Sequence, residues 1–218
     1  MDKMGDEWER AKRAAWIRML EDLEIGYLDT DILEILVELF ARPKSFPKSS
    51  CSGRITLIDA DYPWVKGETS TIFKSHAPIS VEDVERVLKA PYTSRLWLSV
   101  QGPIYHVYVA DLDEARELLN AAREAGFKHS GIMVLGRGMH LVEVRTGVRA
   151  DILVADPGGL LLPRAELERA VEVANDVLAQ AKERNRRLLE SLRRRRPKQA
   201  WSTALEFLRE LSERRWRL

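Results

Sequence analysis

Ser52-Gly53-Arg54-Ile55-Thr56-Leu57-Ile58-Asp59 passes from a polar turn into an alternating, β-branched run that reads as a strand. Upstream, the turn extends through Lys48-Ser49-Ser50-Cys51, so that hydroxyls, the only cysteine, a glycine and an arginine crowd one strand entrance. A glycine lets the backbone approach a ligand, neighbouring hydroxyls and amides hold polar or anionic groups, and Arg54 offers a planar fork for carboxylate or phosphate. The pattern has an echo. Ser130-Gly131 precedes Ile132-Met133-Val134 as Ser52-Gly53 precedes Ile55-Thr56-Leu57, and Glu168-Arg169-Ala170 repeats Glu85-Arg86-Val87 in a later helix. The echo suggests two β-β-α repeats with an insertion between them. Strands and helices do not alternate in a strict βαβ rhythm, which predicts an α+β fold with a curved, mixed or antiparallel sheet flanked by helices.

Outward from this stretch, the pattern predicts helices over 7–23 and from the Asp29-Thr30 cap through Phe40, stopped by Pro43. Strands are expected over 53–59 and 69–75, with a polar turn at Lys66-Gly67. Ser80 caps a helix through Lys89, with Glu82 and Asp83 in its first turn. Strands at 95–100 and 104–110 flank Gly102-Pro103, and a helix starts at Asp111 and ends at Gly126. Residues 132–135 and 140–145 read as a hairpin, followed by short strands at 151–154 and 160–162. Pro163 opens a long helix to about Arg195, and a last helix is expected from Ser202 to Trp216. The domain expectation is one α+β domain over 1–192, with a helical pair at its N-terminus, and a basic helical extension over 193–218.

Of the 218 residues 45% are hydrophobic, enough for a sizeable core, and no apolar run is long enough for a bilayer. The charged N-terminus lacks a signal-peptide pattern, so the cytoplasm is the default expectation. One cysteine excludes an internal disulfide and a cysteine-rich zinc site, and the four histidines show no zinc spacing, so no metal is expected. The net charge of +1 hides an asymmetry: 182–218 carries +8, leaving −7 on the rest. A basic tail on an acidic body suits either a polyanion such as RNA or a plainly solvated helix.

His76, at a strand end before Ala77-Pro78, is held in space yet reachable, and its side chain suits proton transfer. His106 lies within a strand and reads as a half-buried core histidine. Trp97 is either core or a stacking surface for a base. Ser130-Gly131 repeats the pairing of hydroxyl and glycine, and Glu143 and Arg145 share one strand face, where they either pair with each other or hold an amino-acid moiety. No Walker motif, GxSxG elbow or early GxGxxG occurs, so a Rossmann fold is not supported.

Together, Ser49-Ser50-Cys51-Ser52-Gly53-Arg54, Lys74-Ser75-His76, Trp97, Pro103, His106-Val107, Gly126-Phe127, Ser130-Gly131-Ile132 and Glu143-Val144-Arg145-Thr146 resemble the third wybutosine-synthesising protein family of archaea and eukaryotes. The resemblance implies a methyltransferase that uses S-adenosylmethionine to methylate a ring nitrogen of the tricyclic guanine derivative at position 37 of tRNA(Phe). It also implies a barrel-like α+β sheet distinct from Rossmann methyltransferases. On this resemblance His76 is the candidate base. Ser49, Ser50, Cys51, Gly53, Arg54, Trp97, His106, Ser130 and Gly131 are cofactor-binding candidates. Lys74, Glu143, Arg145 and the run Arg193-Arg194-Arg195-Arg196 are candidates for holding the tRNA substrate. No membrane partner is expected, and the oligomeric state is open. Two rival readings stay open on the residues alone: a hydrolase with Cys51 as nucleophile and His76 or His106 as base, and a non-enzymatic RNA-binding module.

Overall fold

The computed structural model describes residues 3–65 and 69–215. The turn expected at Lys66-Gly67 and the helix end expected at Trp216 lie outside the described residues. In chain order the elements are α1 (Lys3–Glu24), a 3-10 turn (Thr30–Ile32), α2 (Leu33–Ala41), β1 (Ser45–Cys51), β2 (Arg54–Asp59), β3 (Ser70–Ser75), α3 (Val81–Leu88), β4 (Leu96–Gln101) and β5 (Ile104–Val109). There follow α4 (Leu112–Glu124), β6 (Gly131–Val134), β7 (His140–Arg145), β8 (Arg149–Asp156), β9 (Gly159–Leu160), α5 (Arg164–Arg194) and α6 (Ser202–Arg215). None of the helices among the described residues is long and apolar enough to cross a membrane.

Contacts divide the chain into two compact units, the first built from Met1–Ser52, Ile104–Thr146 and Arg184–Leu218, the second from Gly53–Pro103 and Gly147–Glu183. Each unit owns one sheet: β1-β5-β7-β6 in the first, β3-β2-β4-β8-β9 in the second. Every strand pairing described is antiparallel. The α+β class therefore holds, but the single curved, barrel-like sheet is replaced by two open sheets. The reason lies at Gly53, whose φ of +95° ends the extended run after β1 and lets β2 begin in the other sheet. The two echoed hairpins differ in place as well, since β2 lies inside its sheet and β6 at an edge. The domain boundary expected after residue 192 falls within α5.

Local signals account for the helix ends. Ser80 and Asp83 form a capping box on α3, and the Asp111 carboxylate accepts the Glu114 amide at 2.8 Å at the start of α4. Gly126, at φ +89°, closes α4 with its own amide donating to Arg123 O and Phe127 N donating to Ala122 O. Asp29 departs from expectation: its side chain caps no helix, and its Oδ2 instead accepts the backbone amide of Ser52 at 2.8 Å.

The core of the first unit gathers Trp16, Phe40, Tyr105, Leu118, Phe127, Val142 and Leu188, with Trp201 and Phe207 packed against it. Trp16 meets Phe40, Trp201 and Phe207 edge-on at ring distances of 5.0, 5.3 and 5.5 Å. In the second unit, Ile55, Leu57, Leu96, Leu98 and Val100 pack with Val154 and with Leu167, Ala174 and Leu178 of α5. Asn175, on the same helix, clasps Ile79 by accepting its amide at 2.9 Å and donating to its carbonyl at 2.8 Å.

Candidate functional site

Much of the serine-rich stretch read as a turn is strand. β1 runs through Cys51 and pairs with β5, slipping register between Pro47 and Ser49; only Ser52-Gly53 turns. The pairing places Ser49 opposite His106, and His106 opposite Glu143 on β7. Their side chains form a chain across the three strands: Ser49 Oγ lies 2.9 Å from His106 Nδ1, and His106 Nε2 lies 3.3 Å from Glu143 Oε2. A carboxylate accepts only, so Nε2 carries a proton toward Glu143 and, in the neutral ring, Nδ1 accepts from the Ser49 hydroxyl. The arrangement is a hydrogen-bonded chain along one sheet, ending at a serine hydroxyl.

His106 is half-buried and hydrogen-bonded at both ring nitrogens, as a satisfied strand histidine would be, and Glu143 engages it rather than Arg145, which is exposed. Ser50 and Cys51 continue β1 opposite Tyr105 and Ile104, and Cys51 is a half-buried free thiol. Ser130 has a bridging role, since its hydroxyl donates to Phe127 O at 2.8 Å and accepts the Arg145 amide at 3.0 Å, which sets Gly131 at the head of β6.

The turn itself is held by residues that the sequence reading missed. Ser52 is fully buried; its amide donates to Asp29, and its carbonyl accepts Asn185 Nδ2 at 2.9 Å. Tyr105 in turn donates its hydroxyl to Asn185 Oδ1 at 2.7 Å, and burial pushes the phenol pKa well up, so it stays a donor. The available signal was the rarity of asparagine in this chain combined with a position on the apolar face of a long helix.

In the second unit, His76 Nδ1 lies 3.1 Å from the Gly53 carbonyl oxygen. A carbonyl only accepts, so Nδ1 bears a hydrogen in this contact. Gly53 is confined by more than its φ: an added Cβ would come within 3.2 Å of the Gln101 carbonyl oxygen. Arg54 Nε donates to Gln101 Oε1 at 3.2 Å, while Lys74 is exposed on β3. Trp97 is half-buried, its Nε1 donating to Ala60 O at 3.1 Å.

The four-arginine run lies against carboxylates of its own unit. Arg196 forks onto Glu38, which Arg193 also approaches while binding Glu34. Arg195 pairs with Glu124 and with Glu117 at 3.3 Å. Arg194 stands furthest off, 3.7 Å from Glu124, with 63% of its side chain exposed. The Arg195 contact, with Ser191 behind it, holds the Glu124 carboxyl down at about 2. Beside Arg193 and Arg196 lies a cavity of about 280 Å³ lined also by Glu34, Glu38, Leu208, Leu211 and Ser212.

The family model described as Methyltransferase TYW3 matches residues 10–194. The chain belongs to this family. It is 42% identical to a Saccharolobus solfataricus protein over 81% of this chain and 85% of that one, and 36% identical to an Aeropyrum pernix protein over 75% and 87%. Both relatives are named tRNA(Phe) 7-((3-amino-3-carboxypropyl)-4-demethylwyosine(37)-N(4))-methyltransferase. A solved Pyrococcus horikoshii structure superposes with a TM-score of 0.80 at 31% identity, covering 87% of this chain and 97% of that one. The TYW3 match takes in both sheets and ends at the last residue of α5, so α6 lies beyond it.

Proposed function

We propose that this TYW3-family enzyme transfers a methyl group from S-adenosylmethionine to the N4 ring nitrogen of 7-(3-amino-3-carboxypropyl)-4-demethylwyosine at position 37 of tRNA(Phe). The observation that carries the proposal is the match of residues 10–194 to the methyltransferase family, together with relatives of that name at 42% and 36% identity. All-antiparallel sheets support a methyltransferase scaffold other than the parallel, doubly wound one. A methyltransferase domain over 1–192 followed by a basic helical extension is supported by a family match that stops at residue 194, although that extension packs into the first unit.

The donors present fit the cofactor's chemistry. Arg54 supplies a guanidinium for a carboxylate, Trp97 an indole face for a purine, and Gly53 a backbone free of side chain. The first unit, taken by itself, offers hydroxyl, thiol, ring-nitrogen and amide groups at Ser49, Ser50, Cys51, His106, Ser130 and Gly131, which are candidates on the family resemblance. The cofactor supplies an electrophilic methyl carbon, and the accepting nitrogen must lose its proton. His76, whose Nδ1 lies 3.1 Å from the Gly53 carbonyl oxygen, is the proposed acceptor of that proton. Glu143 fixes His106, and His106 fixes Ser49, so the serine oxygen is oriented before ligand arrives. Lys74 and Arg145, both exposed, are available for phosphates or for the carboxylate of the substrate's side chain. Of the arginine run, Arg194 makes the phosphate contact, since its three neighbours bind internal carboxylates more closely.

The test combines calorimetric titration with S-adenosylmethionine and methyl transfer to hypomodified tRNA(Phe). Arg54→Ala is expected to weaken cofactor binding about ten-fold or more, as for loss of a charge-assisted hydrogen bond. His76→Gln is expected to bind the cofactor normally and to lower kcat about 100-fold. Absence of transfer by the wild-type protein would refute the activity, and full kcat in His76→Gln would refute the base.

A further inference from the structure

We infer that Tyr62 and Trp64 form a stacking platform for unpaired nucleobases of the RNA substrate, separate from the residues assigned to methyl transfer. The inference rests on the proposed tRNA methylation for the identity of the RNA, and on the geometry of the second unit for the site.

The two rings are stacked, with centroids 5.2 Å apart and planes 27° from parallel. They are nevertheless exposed, Tyr62 by 45% and Trp64 by 63%. Large aromatics at this exposure leave flat apolar faces in water, the unfavourable side of hydrophobic transfer. The loop that presents them is braced from several directions. Pro63 restricts the backbone between the rings, and Val65 N donates to Tyr62 O at 3.2 Å. The buried Asp59 carboxylate accepts Thr93 N at 2.7 Å, Thr93 Oγ1 at 3.1 Å and Ser94 N at 2.8 Å, tying the neighbouring segment to the end of β2. Ser94 Oγ donates to the Asp61 carboxylate at 3.2 Å, Arg95 Nη1 to Asp61 O at 3.0 Å and Trp97 Nε1 to Ala60 O at 3.1 Å.

The rings are therefore held ready at little further entropic cost on binding. Arg95 lies over the Tyr62 ring, 5.3 Å from its centroid, and brings a cation beside the stack. Trp97, already proposed to stack a ring, stands 6.4 Å from Trp64 in a tilted arrangement and continues the aromatic surface. A rigid, exposed stack of rings with a guanidinium alongside is what unpaired RNA bases require, since loop nucleotides are bound by stacking on aromatic and Arg planes with a cation near the phosphate. Position 37 of the relatives' substrate belongs to tRNA, so neighbouring nucleotides accompany the target base. The occupant is therefore one or two of those neighbours, read by shape rather than by sequence.

The experiment measures binding of a dye-labelled, unstructured oligoribonucleotide and of tRNA(Phe), by anisotropy, to the wild type and to Tyr62→Ala, Trp64→Ala and Trp64→Phe. Trp64→Ala and Tyr62→Ala are each expected to weaken both RNAs about ten-fold. Trp64→Phe is expected to retain most of the affinity while losing the RNA-dependent tryptophan quenching. Melting temperatures serve as the fold control, and Trp64→Leu, apolar but without a flat face, gives the same readout if the alanine variant unfolds. Wild-type affinity in both alanine variants would overturn the platform, as would concentration-dependent self-association abolished by Trp64→Ala with RNA binding intact. A wild type that binds RNA through Trp64 but transfers no methyl group refutes the proposed activity and leaves the platform standing. Methylation with binding indifferent to Trp64 does the reverse.

Discussion

Lys12 shows how one residue ties together segments distant in sequence. Its ammonium is 1% exposed and donates to the carbonyls of Arg42 at 2.5 Å, Pro43 at 3.3 Å and Ser45 at 3.0 Å. It thereby satisfies the backbone where α2 gives way to β1, just upstream of the serine-rich strand. Burial pulls its pKa down to about 8, against the opposing pull of Glu9 and Glu114. Between about 8 and 10.5 the unfolded lysine therefore holds a proton that the folded one has released, so stability rises with pH across that window. The expected slope in urea unfolding is at most about 1.4 kcal/mol per pH unit. Lys12→Met should lose the rise; a wild-type stability flat or falling from pH 8 to 9.5 relative to this variant would contradict the assignment.

At the scale of elements, α6 completes the first unit although it lies past the family match. The Trp201 amide donates to Ala41 O at 2.8 Å, closing a carbonyl at the end of α2, while Trp201 and Phe207 cover two edges of Trp16. Ending the chain after Arg196 uncovers Trp16 and removes both ring pairs. With the associated burial this amounts to about 3 kcal/mol. A fall in Tm of about 6–12 °C is expected by calorimetry. An unchanged Tm would mean that α6 is only an ornament on the fold. The helices were readable because their stop and start signals are local, as Ser80, Asp111 and Gly126 show. β1 escaped because its strand character comes from β5 across 57 residues, while its own sequence offers a proline and polar Lys48, Ser49 and Ser50. Ser49, His106 and Glu143 were each singled out, yet their hydrogen-bonded chain depends on the order β1-β5-β7, which no spacing within one segment encodes.

Over the whole molecule, the formal +8 of residues 182–218 overstates the field offered to RNA, because Arg193, Arg195 and Arg196 are spent on Glu34, Glu38, Glu117 and Glu124. Each phosphate contact adds about 0.7–0.9 to the slope of log affinity against log salt. Arg194→Gln is therefore expected to reduce that slope for tRNA(Phe) by about one contact. Arg196→Gln should leave it unchanged and lower stability instead. Equal slopes for wild type and Arg194→Gln would remove Arg194 from the interface. Net charge was legible in the sequence, whereas its internal cancellation needed the fold.

The path of the chain carries a last consequence. It changes unit after Ser52, Pro103, Thr146 and Glu183, so each unit is stitched from segments separated in time as well as in sequence. A nascent chain emerging from the ribosome cannot close the first unit until Arg184 and its successors have appeared, nor the second until β8 has been made. Neither unit is encoded by one continuous stretch, so no single cut through the chain separates one from the other.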